Sequence, residues 1–450
     1  MVGGDGRQAV GCSLGPGARS LPTLALAACI GFASLRGLAC AAPPDEVGAS
    51  SVSWTLPALL AQLRQNNPQL EQAHQGYLAA QLQVPQARSL PAPQVSFAEQ
   101  ANTGGRFDFN PSSGFYAYPT LTQPLLWPGK RGLAGDAASA QAAVVGRQYD
   151  SLLLQLTAQV QLDYYQLVAL QSQLRFMRED QQRLEQIKSL AQVRYANNAA
   201  AYVEFLNAQV SVSSLENDRY ALEKQIQALK EQLNLLIARP PESDLHVPEV
   251  DATPHLPAQT LPALLDLARA NNPAVAASQS QVDAADKSLA LAQKSVRPDF
   301  ALSVGAYTDP WLDHLGSTRI YTIGVTMNLP SWGLTREHAA VGQARAILAQ
   351  ARSAQSAQHQ QLEVNVASAY HALESALHQL SFTRERLLPQ AQAAYRLALS
   401  GYASHGATNF TDLLTAQSAL RSTELALVQA QSSAVQASVN LTAAIGREAD

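Results

Sequence analysis

The side chains able to do chemistry are few and scattered. Nine histidines stand at positions 74, 246, 255, 314, 338, 359, 371, 378 and 405. One pair is regularly spaced: His371 and His378, seven apart on one helical face. A zinc site needs three or four converging ligands, so this pair reads as solvated or lumen-facing side chains. Within residues 42–450 no G-x-S-x-G, G-x-x-x-x-G-K-[ST], H-E-x-x-H or C-x-x-C occurs, so no nucleophile elbow, phosphate loop, zinc protease or redox dithiol is indicated there. An enzyme is not expected, and no cofactor or metal is implied. Met177 and Met327 suit a core and a lipid-facing surface, not a metal relay. Two carboxylates stand out by position. Glu204 and Asp412 each precede a matched leucine, Leu206 and Leu414, by two residues at the start of a helix. A first-turn carboxylate is favoured by the helix dipole, and Asn409 three residues before Asp412 resembles a capping box. The same charges could also attract cations.

The elements that carry these carboxylates occur twice. "LPALLAQLRQNNP" (56–68) returns as "LPALLDLARANNP" (261–273), 205 residues later. Pro93 and Pro298, Trp127 and Trp332, and Arg131 and Arg336 keep the same spacing. Further on the offset drifts by one to three: Tyr164 with Tyr370, "RYANNAAAYVEFLNAQ" with "GYASHGATNFTDLLTAQ", and Asn234 with Asn440. Shared prolines, tryptophans and arginines are not what low-complexity Ala/Gln/Leu similarity produces, so the chain is a tandem duplication. The first repeat spans 54–238 and the second 261–447, joined by a proline-rich strap at 239–260 that cannot be helical.

Each repeat has one order. A helix of about 35 residues (56–91, 261–296) ends at a proline. Two short strands follow, within 93–126 and within 298–330. A very long helix comes next (131–196, 334–402), then a return helix (203–237, 409–446). Leu153, Leu156, Val160, Leu167, Leu170, Leu174, Met177, Leu184 and Ile187 follow three-four spacing, and so do Leu215, Leu222, Leu229, Leu233 and Leu236. That is a coiled-coil seam. At 1.5 Å per residue the long helix is a rod of about 100 Å, longer than any single core requires.

The charged fraction is 15%, below the usual ~25%, and the net charge is −4. No basic run suggests nucleic acid. Residues 1–41 read as an export leader: Arg7 and Arg19 precede the apolar "LPTLALAACIGFASL", and Ala39 and Ala41 form an A-x-A site. "LAAC" also fits a lipoprotein box with Cys29 as the lipidated residue. All three cysteines (12, 29 and 40) lie in this leader, so a chain cut near Ala41 has no disulfide.

The strands alternate. Tyr321, Ile323, Val325, Met327 and Leu329 interleave with Thr322, Gly324, Thr326 and Asn328; Phe300, Leu302 and Val304 interleave with Ala301, Ser303 and Gly305. About ten residues with one apolar face is the length of a membrane-crossing β-strand. Four strands cannot close a barrel, and open edges cannot face lipid. Three copies would supply twelve strands around a polar lumen. Tyr116, Tyr118, Trp127, Tyr307, Trp311, Tyr321 and Trp332 cluster near the strands and suit an interfacial aromatic belt, with ordinary core packing as the alternative.

In the order and duplication of these segments, and in "QPLLWPGKR" and the hairpin "GYASHGATNFTDLLTAQ", the chain resembles the TolC-like outer-membrane efflux proteins across 54–447. The resemblance implies a mainly α fold with a small β part: long coiled-coil hairpins forming a trimeric α-barrel, and four strands per chain joining a twelve-stranded transmembrane barrel. It implies a homotrimer in outer-membrane lipid, extending into the periplasm. It also implies a periplasmic adaptor and an inner-membrane transporter of the RND type, with the chain as passive exit duct. "LLWPGKRG" is most similar to members serving heavy-metal pumps, which places metal cations ahead of drugs as cargo. The tips, Asn197, Asn198 and Ala199 with His405, Gly406 and Ala407, would dock the adaptor. Members often carry glycine at the first tip; here asparagine, which tolerates a left-handed backbone, takes its place. Three copies would gather Glu204 and Asp412 into six carboxylates at the narrow end. The alternative from another class is an exported coiled-coil scaffold without a pore.

Overall fold

The computed structural model describes residues 53–101, 115–248, 254–308, 319–329, 334–404 and 408–447. The leader with Cys29, and the second tip (His405, Gly406, Ala407), lie outside the described residues. So do Trp311 and Trp332.

Each repeat begins with two helices where one was expected. α1 (Leu56–Asn66) and α2 (Pro68–Arg88) are separated at Asn67, and α5 (Leu261–Asn271) and α6 (Pro273–Ser295) at Asn272. The cause is local. Pro68 and Pro273 disfavour a helical conformation in the residue before them, and Asn67 and Asn272 adopt extended backbone. Each asparagine then caps the following helix. Asn67 Oδ1 accepts from the Gln69 and Leu70 amides at 2.9 and 3.1 Å, and Asn272 Oδ1 accepts from the Ala274 amide at 2.9 Å. The other end of each amide reaches the far end of the repeat. Asn67 Nδ2 donates to the Leu236 carbonyl at 2.7 Å, and Asn272 Nδ2 to the Ala444 carbonyl at 2.9 Å. The "NNP" phrase thus closes each repeat by tying its first break to the end of its return helix.

The rods follow. α3 runs unbroken from Lys130 to Ala196, 67 residues, about 100 Å of helix. Its N-cap is Gly129 with φ 88°, a left-handed turn between strand and rod. The second rod is interrupted: α7 (Thr335–Phe382) passes through a π-turn (Thr383–Leu387) into α8 (Leu388–Ala403). A π-turn inserts one residue without unpairing the helix. The repeat offset is 206 at Tyr164 and Tyr370 and 207 at Tyr195 and Tyr402, so the bulge absorbs the extra residue.

The return helices are α4 (Tyr202–Leu236) and α9 (Phe410–Ile445). Their ends correct one pairing. The Asn67 and Asn272 ties meet Leu236 and Ala444, and the left-handed residues Ala238 and Gly446 close the two ends. Both pairs are 208 apart, so the mate of Asn234 is Thr442 rather than Asn440.

The expected seam is the core. Leu156, Val160, Leu167, Leu170, Met177, Leu184 and Ile187 are buried with Leu215, Leu222 and Leu233; Leu153, Leu174, Leu229 and Leu236 pack against them half-buried. The strap between repeats joins this core through Leu245 and Val247, and Ser53 bridges His246 in parallel. α3 packs on α2, α4, α6 and α9, so the first rod carries the contact between repeats. No helix among the described residues is long and apolar enough to cross a membrane.

β1 (Gln94–Ala101), β2 (Phe115–Leu125), β3 (Asp299–Thr308) and β4 (Arg319–Asn328) form one antiparallel sheet in chain order. Its centre is the β2–β3 pair, one strand from each repeat.

Candidate functional site

The sheet has two chemically opposite faces. Register aligns Val95, Leu121, Val304 and Ile323 in one row, and all four are exposed. Leu125, Phe300 and Met327 form a second row, and Leu302 pairs with Val325 in a third on the same face. One residue along each strand the rows are Ser96, Thr120, Gly305 and Thr322, then Gln94, Thr122, Ser303 and Gly324. Period-two alternation makes the faces, and registered pairing carries them across both repeats; Gln123, paired with Leu302, is a polar exception in the third row. β1 and β4 are the outer strands, each paired on one side only within the chain.

Aromatic residues sit differently from one another. Tyr321 is exposed on the apolar face. Trp127 is half-buried and stacks on Phe300 at 5.8 Å. Tyr116, Tyr118 and Tyr307 lie in the strands.

Where sheet meets rod, the first repeat grips the second. Lys130 Nζ donates to both Asp299 carboxylate oxygens at 2.9 and 3.0 Å and to the Arg297 carbonyl at 2.7 Å. The Trp127 amide donates to Asp299 Oδ1 at 2.8 Å. "WPGK" is therefore the joint that fixes the strand-to-rod angle.

At the far end of the rods, α3 ends in a left-handed cap at the first tip. Asn198 has φ 58°; its amide donates to the Tyr195 carbonyl at 2.9 Å, and the Ala199 amide to the Arg194 carbonyl at 2.8 Å. This is the paired arrangement that terminates helices with a left-handed residue, and asparagine serves in glycine's place.

Glu204 and Asp412 occupy the same position, the third residue of α4 and of α9. Their surroundings differ. Asp412 is exposed; its amide donates to the Asn409 side chain at 2.7 Å, the expected cap. Glu204 is half-buried, and its Oε2 accepts from the Tyr402 hydroxyl at 2.6 Å. Arg194 donates to the Tyr402 and Ala199 carbonyls and lies over the Tyr402 ring, 4.4 Å from its centroid. Burial, then the Glu204 carboxylate, pushes the Tyr402 hydroxyl far above its ordinary pKa, so it stays a proton donor. Tyr402 and Arg194 were not singled out from sequence. The doubled tyrosine, Tyr195 and Tyr402, was the available signal.

Higher on the same seam lies a polar group that sequence gave no hint of. Arg183 holds Glu424 through Nη1 and Nη2 at 3.2 and 2.5 Å, and its Nε donates to Asp180 Oδ1 at 3.2 Å. Gln417 Nε2 donates to both Asp180 oxygens at 2.7 and 2.9 Å. Asp180, Gln417 and Glu424 are buried. Burial pushes Glu424 above the usual carboxylate range, against the pull of Arg183. The Tyr395 hydroxyl is buried and has no partner among the described residues.

His371 faces Glu374 at 3.3 Å and His378 stacks on Phe382, so the two imidazoles do not converge. Among the described residues no cluster of three His, Cys, Asp or Glu side chains could hold a metal. Met177 is buried in the core and Met327 is exposed on the apolar sheet face.

Two faces on an open sheet, carried on hairpin rods, is an arrangement with known relatives. The chain resembles VceC, an outer membrane protein of Vibrio cholerae, with a TM-score of 0.74 and 23% identity over 87% of this chain and 96% of that one. It matches the MtrE outer membrane channel of Neisseria gonorrhoeae at 0.70 and 18% identity, over 87% and 89%. The transmembrane channel CusC matches at 0.74 and 18%, over 88% and 93%. These likenesses establish a TolC-like channel fold. A curated relative, the outer membrane efflux protein BepC of Brucella suis, is 29% identical over 201 residues. That match spans 44% of this chain and 43% of the relative's length. The family model described as outer membrane efflux protein matches residues 59–239 and 264–447, one segment per repeat. This chain belongs to the outer membrane efflux protein family.

Proposed function

We propose that three copies of this chain form the exit duct of a three-part efflux system. The observation that supports this reading most directly is the sheet: four strands, one apolar face, one small polar face, and two outer edges. Open edges in hydrocarbon leave backbone groups unpaired, so β1 of one copy pairs with β4 of the next and twelve strands close around a polar lumen. The rods carry that lumen away from the membrane toward a periplasmic adaptor and an inner-membrane transporter of the RND type. The tips at Asn197–Ala199 and His405–Ala407 are the docking sites. Cargo, metal cations or drugs, is selected by the transporter, and no step of chemistry is asked of the duct. The pore-free coiled-coil scaffold has no use for an exposed apolar sheet face.

The narrow end carries Glu204 and Asp412. At ~7 Å in a water-like medium a carboxylate attracts a monovalent cation by about 0.6 kcal/mol before salt screening; the exposed Asp412 of each copy acts in this way, with Glu204, held by Tyr402 in the seam, set behind it, and together they favour cations over anions.

Native mass measurement of the detergent-extracted protein tests assembly; the expected species is a trimer, and a stable monomer rules out the duct. In planar bilayers under a salt gradient the reversal potential should indicate cation preference. Replacing Glu204 by Gln together with Asp412 by Asn should reduce it, most at low salt. An unchanged potential with intact trimer would remove the selectivity role. Bulky substitutions at both tips should abolish export while leaving the trimer inserted.

A further inference from the structure

The chain contains one complete seam between repeats and, on its two outer flanks, the two halves of another. At the internal seam the second repeat supplies Tyr402, 2% exposed, and Phe410, 6% exposed. Their repeat mates in the first repeat, Tyr195 and Tyr202 (offsets 207 and 208), are 48% and 50% exposed. The first repeat supplies Leu190, packed against the cluster that holds Tyr402 and Phe410; its mate Leu397 is 74% exposed. The pattern holds for polar groups. Tyr402 donates to Glu204 inside the chain. Neither the hydroxyl of Tyr195 nor the carboxylate of Asp412, the mates of that pair, has a partner among the described residues.

The same surfaces that fill the seam within a chain are therefore bare at its outer flanks, with matching chemistry and opposite hands. A head-to-tail contact of this kind closes into a ring when the rotation between copies closes. The occupant is a second copy of this chain, because the chain itself supplies the template of the contact.

We propose that the Tyr195 hydroxyl of one copy donates a hydrogen bond to the Asp412 carboxylate of the neighbouring copy, reproducing between chains the Tyr402–Glu204 bond. This rests on the trimeric duct reading. It also makes the two kinds of seam unequal. Within the chain, Arg194 also grips Tyr402, and Arg183 joins Asp180 to Glu424. At the offset of 207 that holds beyond the π-turn the mates of Arg194 and Arg183 are Gly401 and Gln390, which carry no charge. Of these ties only the tyrosine–carboxylate bond has a counterpart between copies, so Tyr195 and Asp412 hold the tip of each intersubunit seam.

Residues 41–450 contain no cysteine, and a protein without introduced cysteines, treated in the same way, accounts for any linking through Cys12, Cys29 or Cys40. The full-length protein carrying Y195C and D412C is treated in detergent with a short bismaleimide, which tolerates a wider separation than a disulfide. Native mass is measured on the same sample, and a Y402C/E204C protein serves as the internal control. The expected result is covalent dimers and trimers from Y195C/D412C, and cross-linked monomer from Y402C/E204C. Co-expressed single variants, Y195C on one copy and D412C on another, should give linked dimers. A trimer by native mass whose Y195C/D412C pair links within one chain, or not at all while the control links, overturns this inference alone. Absence of a trimer overturns it together with the duct.

Discussion

Tyr402 is the residue on which the tip turns. Its ring is covered by Arg194, its hydroxyl is committed to Glu204, and it lies in the core. Replacing Glu204 by Ala leaves that buried hydroxyl without an acceptor, which costs about 1–3 kcal/mol; Glu204→Gln keeps a carbonyl acceptor and should cost less. Thermal melting of the purified protein orders the two. The pH dependence has a definite sign. The folded-state pKa of Tyr402 is raised, so its contribution is fully present below the unfolded tyrosine value near ~10 and is lost as pH rises above it. Melting curves taken between neutral and strongly alkaline pH should show a loss that Tyr402→Phe reduces. Ala238 gives an opposite prediction. It sits at φ 57° where its repeat mate Gly446 sits at 81°, and a side chain in that region costs roughly 1–2 kcal/mol. Ala238→Gly should raise the melting temperature, by the equivalent of about 0.5–1 kcal/mol after glycine's entropy is counted.

At the scale of elements, stability lies in how helices are joined and in what their seams enclose. Asn67 is buried, satisfies two amides and holds the Leu236 carbonyl; Asn272 satisfies one amide and is half-buried. Losing such a cap costs about 1 kcal/mol, so Asn67→Ala should lower the melting temperature more than Asn272→Ala. The ionic group between α3 and α9 has two carboxylates and one guanidinium. Removing Arg183 leaves Asp180 and Glu424 buried without a cation, a loss of about 3–5 kcal/mol. Removing a negative charge is milder, because burial already favours the protonated form of Glu424. Arg183→Met should therefore destabilise the protein strongly and Glu424→Gln little; equal effects in thermal melting would contradict this charge balance.

The whole molecule is set by its surroundings at each end. As an outer membrane efflux protein the chain places its sheet in the outer membrane and its rods in the periplasm. A charge on the lipid face costs about 2–4 kcal/mol at the bilayer midplane. Ile323→Lys, on the apolar face, should block insertion, whereas Thr322→Lys, one residue away on the polar face, should insert and change conductance. Membrane fractionation and single-channel recording separate the two. If both variants inserted equally, the assignment of faces would be wrong.

The sequence alone determined the duplication, the element order, the seam leucines and the two-faced strands. These depend on short periods, 3.6 and 2, and on Pro, Gly and Asn, whose backbone preferences act locally. It also placed the left-handed asparagine at the first tip and the cap at Asp412. What it left open was decided by contacts across 160 residues or more: the Asn67 and Asn272 ties to the return helices, Lys130 on Asp299, Arg183 on Glu424, and Tyr402 on Glu204. Arg183 and Asp180 stand in a run of charged and amide residues, "REDQQRLEQ", that any solvated helix face could carry. Only the crossing of α3 with α9 buries them. Glu204 and Asp412 were equal in the sequence because helix position is a local property. They became unequal in the fold because one faces the internal seam and the other an outer flank, and which neighbour fills a seam is a property of the folded chain and its copies.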